Sequence, residues 1–315
     1  MNTAEQLKTA PNARNGLPEN PDTPAPKRPE GLSATLREMI RELVQYRELL
    51  GQMILRDIRI RYKQAIMGFG WAVLMPVVIV GAGFLVKYAM AQISGKPLEA
   101  ASLSGMTVKA LGWAFFIGAL GFATNSLTSN IALVTKIYFP REVFPLSAVL
   151  TQAFDSLIGS TVLGMLLFLF LGVGLSLQLL WVPLLIVMLI LMTTGAALFL
   201  SCANVFFRDV KYLVQVVITF GIFFTPVFYE PQFFGPKGCL VMMLNPLSPL
   251  LEGLRLAVVE QHNLLETLVV TTDAGQEIFA WQPWYLLYAA AWSIFGSIGA
   301  WLMFHKLEFV YAEYI

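Results

Sequence analysis

Residues 179–207 read LLWVPLLIVMLILMTTGAALFLSCANVFF, an apolar run without Asp, Glu, Lys or Arg. A bilayer core about 30 Å thick takes roughly 20 apolar helical residues to cross. Lipid offers the backbone no hydrogen-bonding partner, so a crossing segment must satisfy its own N–H and C=O groups, as a helix does. The stretch therefore predicts a transmembrane helix. Similar stretches at 68–90, 110–134, 146–173, 213–229 and 284–304 bring the expected crossings to six. Hydrophobic residues make up 57% of the chain and charged residues 13%, about half the charge of an ordinary soluble domain.

The charges are sorted by position. Sixteen Lys and Arg fall before the first stretch, in the gaps after the second and fourth, and in the tail; five fall on the other side, Lys87, Lys96, Lys109, Lys237 and Arg255. Basic residues stay cytoplasmic, so both termini are expected there. Lys87, near the outer end of the first crossing, is expected to snorkel to the headgroups. Residues 1–30 have no apolar core for a cleavable signal peptide.

Residues 1–32 hold six prolines and too little apolar content to fold alone, so disorder is expected. Residues 33–66 form a cytoplasmic amphipathic and basic segment. Leu36, Met39, Ile40, Leu43 and Val44 recur at helical spacing opposite Arg37, Glu38, Arg41 and Glu42, the pattern of an interfacial helix on the inner leaflet or of a cytosolic helix packed on a partner subunit. Arg56, Arg59, Arg61 and Lys63 follow, which suits anchoring at anionic headgroups or contact with a phosphate-bearing lipid. The six-span domain occupies 67–306, with an extracytoplasmic region at 230–282 and a cytoplasmic tail at 307–315.

Two segments in that region are not crossings. Residues 238–259 are apolar, but Asn245-Pro246-Leu247-Ser248-Pro249 divides them into pieces too short to span, which predicts a re-entrant helical hairpin carrying Glu252 and Arg255 on its second arm. Residues 267–272 and 276–281 flank Asp273-Ala274-Gly275 and predict a small β-hairpin. The fold class is thus an all-α polytopic membrane protein with these two additions.

Within the third crossing, Gln152, Ser156 and Ser160 share a face, and Ser156, Ser160 and Gly164 make a small-residue run suited to close helix contact. Asp155 is the carboxylate deepest in any crossing, either hydrogen-bonded between helices or bordering an aqueous path. Cys202 and Cys239 fall at opposite sides, so free thiols are expected. His262 and His305 are far apart in sequence, which argues against a histidine metal site. There is no phosphate-binding Gly-x-x-x-x-Gly-Lys-Ser/Thr loop, no catalytic Ser/His or Cys/His arrangement, and nothing that indicates nucleic-acid binding. The chain reads as a passage or scaffold, not an enzyme, with no cofactor of its own.

Four motifs in order carry a family resemblance. They are Leu55-Arg56-Asp57-Ile58-Arg59-Ile60-Arg61-Tyr62-Lys63-Gln64 leading to Gly68-Phe69-Gly70-Trp71, then Lys136-Ile137-Tyr138-Phe139-Pro140-Arg141-Glu142-Val143-Phe144-Pro145, then Phe224-Thr225-Pro226-Val227-Phe228-Tyr229, then Leu244-Asn245-Pro246-Leu247 before Glu252-Gly253-Leu254-Arg255. Together they resemble the permease subunit of ABC-2 type polysaccharide exporters, which move O-antigen, capsule or teichoic acid precursors. The resemblance covers about residues 35–310 and excludes the N-terminal extension.

The resemblance implies a homodimer in the bacterial inner membrane, bound to two copies of a cytoplasmic ATPase that carries Mg-ATP, with a lipid-linked polysaccharide as substrate. It places the channel along Trp71, Tyr88, Phe220, Phe223, Phe224, Phe228 and Tyr229, and coupling to the ATPase at Lys136, Tyr138, Pro140, Arg141 and Glu142. Arg59, Arg61 and Lys63 would receive a lipid diphosphate. A drug or small-lipid permease and a membrane enzyme acting on polyprenyl-linked sugars are the competing readings.

Overall fold

The computed structural model of the chain describes residues 32–63, 68, 70–95, 99–131, 133, 140–170, 172–271 and 277–308. The chain divides into two compact units, 1–42 and 43–315. In the first, helix α1 (Leu32–Gln45) begins and exposes Arg37, Glu38 and Arg41, as its amphipathic pattern requires.

The second unit runs through α2 (Arg47–Tyr62), α3 (Gly70–Ser94), α4 (Ala100–Thr124), α5 (Ser126–Ser129), α6 (Val143–Phe170), α7 (Trp181–Phe206), α8 (Val210–Phe220), α9 (Gly235–Met243), α10 (Leu247–Val258), strands β1 (Leu268–Thr271) and β2 (Glu277–Trp281), and α11 (Pro283–Leu307). Among the described residues five helices are long and apolar enough to cross a membrane: 70–93, 100–124, 143–170, 177–206 and 283–307. The fourth is α7 preceded by a 3₁₀ turn, Leu177–Leu180, capped by Ser176. Hydroxyls inside these helices turn back on their own chain: Ser104, Thr107 and Thr124 each donate to the carbonyl four residues earlier, which satisfies them without water.

Two crossings differ from the sequence expectation. The second begins at Ala100, ten residues early, and carries Lys109 within it; the ammonium is paired there with Glu252. The fifth stretch forms only α8 and a 3₁₀ turn to Phe223, about 21 Å of helix at 1.5 Å per residue. Pro226 explains the stop, because it lacks an N–H and drives Thr225 out of helical geometry.

Residues 235–258 form two short helices joined by Leu244-Asn245-Pro246, matching the expected break. The hairpin is also present: β1 and β2 pair antiparallel, with Val269 opposite Phe279 and Thr271 opposite Glu277. Its Ile278, Ala280 and Trp281 are buried, and the Trp281 indole donates to the Leu264 carbonyl at 2.9 Å. The main core joins α4, α7, α10 and α11 around Trp113, Leu185, Leu250, Leu251, Trp281 and Tyr285. A second cluster at the end bearing α2 packs Met53 with Leu127, Phe144, Leu198, Cys202 and Phe304.

Candidate functional site

Helix α8 presents an apolar face with no partner among the described residues. Leu213, Val216, Val217 and Phe220 recur at three- and four-residue spacing and are all more than half exposed; Phe223 and Phe224 continue the face, at 59% and 71% exposure. Trp71 and Tyr88 on α3 are also exposed. Phe220 and Phe224 edge a 480 Å³ cavity backed by Trp113, Met192 and Leu247. The two proline turns meet here, since the Asn245 amide donates to Thr225 Oγ1 at 3.0 Å. Phe228 and Tyr229 behave differently. Phe228 packs so closely on Gly83 that a Cβ there would lie 2.6 Å from its ring. The Tyr229 hydroxyl donates to the Phe223 carbonyl at 2.6 Å.

Beyond Tyr229 lies a buried ion cluster. Lys109 Nζ donates to the Tyr229 carbonyl at 2.7 Å and sits 3.4 Å from Glu252, which Arg255 holds at 2.7 Å. Lys109 and Glu252 are fully buried, and Arg255 nearly so. Arg255 also reaches the more exposed Glu260 at 2.9 Å. Lys87 does not snorkel; it is buried and pairs with Glu230 at 3.2 Å and with Ser102. Each cation therefore meets a carboxylate, the condition under which ions tolerate a low-dielectric site. The cluster joins α3, α4, α10 and the segment after α8. Glu252 and Arg255 were evident in sequence as hairpin residues, whereas Lys109, Lys87 and Glu230 were not. The available signal was a lysine inside an apolar run, which implies a buried counter-charge.

At the end bearing α2, Asp155 is hydrogen-bonded between helices. Arg61 forms an ion pair with it, and the Tyr62 hydroxyl donates to its other oxygen at 2.6 Å. Burial raises the Tyr62 phenol above its ordinary pKa, which keeps it a donor. Arg61 also reaches Gln152 Oε1 at 3.2 Å and stacks 4.0 Å above the Phe122 ring. Arg59 and Lys63 are exposed. Among the described residues the small-residue run faces a gap: Ser156, Ser160 and Gly164 line an apolar 340 Å³ cavity with Leu189 and Leu254. The close approach falls instead at Gly159, where a Cβ would lie 2.8 Å from the Ala72 carbonyl oxygen.

Lys136 and Tyr138 lie outside the described residues. Pro140, Arg141 and Glu142 lead into α6. The Arg141 N–H donates to Glu308 Oε1 at 2.9 Å, and its guanidinium contacts the Glu308 carbonyl oxygen at 2.5 Å. His305 Nδ1 stands 3.3 Å from Glu142 Oε1. Burial, and then the nearby Glu142 carboxylate, push Glu308 up to about 7, against the pull of Arg141 and His305.

The family model for ABC-2 type transporters matches residues 48–259, two thirds of the chain. The chain belongs to the ABC-2 type transporter family. Among curated relatives it is 29% identical over 267 residues to the O-antigen export system permease protein RfbA of Myxococcus xanthus, covering 82% of this chain and 95% of the relative. It is 27% identical over 208 residues to the protein of the same name from Klebsiella pneumoniae, covering 65% of this chain and 77% of the relative. The ABC-2 match runs from α2 to the end of α10. It includes the aromatic face, Lys109, Glu252, Arg255 and the Arg61–Asp155 pair, whereas His305 and Glu308 lie beyond it.

Proposed function

We propose that this ABC-2 protein is the permease subunit of an exporter that moves a lipid-linked polysaccharide from the cytoplasmic side across the inner membrane, driven by ATP hydrolysis on a separate subunit. The observation that carries the reading is the similarity spanning nearly all of an O-antigen export permease. The unpartnered aromatic face of α8 supports it. Sugar rings lay apolar C–H surfaces on aromatic side chains, and few fixed charges along a path avoid deep binding wells.

In this reading two copies of the chain face each other across Trp71, Tyr88, Phe220, Phe223 and Phe224, and two ATPase subunits dock at the 136–142 segment. The chain crosses six times, with α8 and its 3₁₀ extension as a short fifth crossing, α9 and α10 as a re-entrant hairpin, and both termini cytoplasmic by the distribution of Lys and Arg. Arg59 and Lys63 are the cations placed to receive a diphosphate, because Arg61 is engaged by Asp155.

Purification of the tagged chain in mild detergent together with an ATPase subunit tests the assembly. The expected result is stoichiometric recovery of ATPase activity, lost in Lys136→Glu, and polymer retained inside cells that lack the chain. Recovery of the chain alone, in detergent and in nanodiscs, with polymer export unchanged by its deletion, would overturn the reading.

A further inference from the structure

We propose that Glu142, His305 and Glu308 form a binding site for a divalent transition-metal ion, with zinc the best fit to the donors, that fastens the start of α6 to the end of α11. Glu142 and His305 are 163 residues apart in sequence, yet one ligand atom from each of the three side chains lies within 4.8 Å of the others. His305 Nδ1 is 3.3 Å from Glu142 Oε1 and 4.0 Å from Glu308 Oε2. Zinc bonds of about 2.0–2.2 Å at tetrahedral angles place neighbouring donors about 3.3 Å apart, so small side-chain rotations close the set around an ion. One imidazole and two carboxylates also suit zinc better than calcium or magnesium, which take oxygen ligands alone.

Independently of that spacing, Glu142 is 4% exposed and its Oε2 is buried without a hydrogen-bond partner among the described residues. A buried carboxylate oxygen left unsatisfied is costly, and its sister oxygen already points at His305. A cation between the three groups satisfies that oxygen and offsets the repulsion between two crowded carboxylates. The surroundings hold the ligands in place. The Arg141 N–H orients Glu308, as outer partners orient metal carboxylates, while the Arg141 guanidinium contacts the Glu308 backbone carbonyl. Three protein ligands leave a fourth position for water. The competing arrangement is an imidazolium shared between the two carboxylates with no metal.

The test uses the full-length chain, purified through a tag that contains no histidine, stripped with chelator, equilibrated with zinc and desalted. Elemental analysis is expected to give one zinc per chain, and X-ray absorption one imidazole nitrogen with oxygen donors. His305→Gln and Glu142→Gln should lower retention at least tenfold, while His262→Gln retains zinc like the parent. Zinc should raise the melting midpoint of the parent and leave that of His305→Gln unchanged. Substoichiometric retention by the parent, an absorption spectrum without nitrogen, or equal retention by His305→Gln would each overturn the site. The absorption measurement needs only the parent protein, so it decides the matter even where the variants fold poorly.

Discussion

Arg61, near the C-terminal end of α2, forms an ion pair with Asp155 in the middle of α6, and Tyr62 donates to the same carboxylate. A segment whose basic residues suggest lipid contact is thereby tied to a transmembrane helix. Asp155 is 5% exposed, so removing either partner leaves a charge with little water. Breaking a buried pair costs about 3–5 kcal/mol, whereas removing both charges together costs far less. Arg61→Gln and Asp155→Asn should each lower the melting midpoint in detergent, and the double variant should recover part of the loss. Additive losses would mean that the two residues act independently.

Glu252 lies between Lys109 and Arg255, and all three are buried. Glu252→Gln leaves two cations facing a neutral amide, and the yield of monodisperse protein should fall about tenfold or more. Glu260 bonds to the same Arg255 but is largely exposed, so Glu260→Gln should leave the yield within about twofold. Size-exclusion profiles of the two variants provide the comparison.

Glycine matters in this structure where two backbones touch. At Gly195 an added Cβ would lie 2.8 Å from Ser297 Cα, and at Gly159 the same distance from the Ala72 carbonyl oxygen. Neither neighbour is the movable end of a side chain. Gly195→Ala and Gly159→Ala should each destabilise by about 1–3 kcal/mol through overpacking. At Gly81 nothing among the described residues lies within 4 Å, so Gly81→Ala should melt at or above the parent temperature, given alanine's higher helix propensity. Melting curves in one detergent rank the three.

These particulars show how far the sequence could be read. The apolar stretches, the Asn245-Pro246 break and the hairpin were legible because each rests on local pattern: length, proline position and alternation. The start of the second crossing was misplaced because Lys109 looks like a loop residue until Glu252, 143 positions away, is seen to neutralise it. Lys87 was misread for the same reason, its partner Glu230 lying equally distant. The run Ser156, Ser160 and Gly164 had the right composition for close packing, yet the contact fell one position from that face, at Gly159. Two histidines far apart in sequence concealed that one of them meets two carboxylates in space. Periodicity reports which face is apolar and is silent on which distant group pairs with it.

Both cysteines are buried. Burial, with a further push from the Glu252 carboxylate, raises the Cys239 thiol to about 11. The thiolate is the reactive form, so only about one Cys239 in several thousand carries it at pH 7.5. N-ethylmaleimide should leave Cys239 unmodified in the folded protein over an hour and label it after denaturation, read by intact mass. Rapid native labelling of Cys239 would show that α9 opens to solvent.

Phe224 is the cleanest probe of the aromatic face. Its side chain is 71% exposed, and its carbonyl accepts the Asn245 amide through backbone alone, so truncation removes no buried contact. Tyr229 is a poorer choice, because its hydroxyl holds the Phe223 carbonyl and its own carbonyl holds Lys109. If polymer slides over this face, losing one stacking surface removes about 1 kcal/mol, roughly fivefold in rate. Phe224→Ala should therefore reduce surface polymer about fivefold, with normal protein yield and normal recovery of the dimer and its ATPase, while Phe224→Tyr exports like the parent. Loss of dimer recovery in Phe224→Ala would assign the residue to the subunit contact, and normal export would remove it from the path altogether.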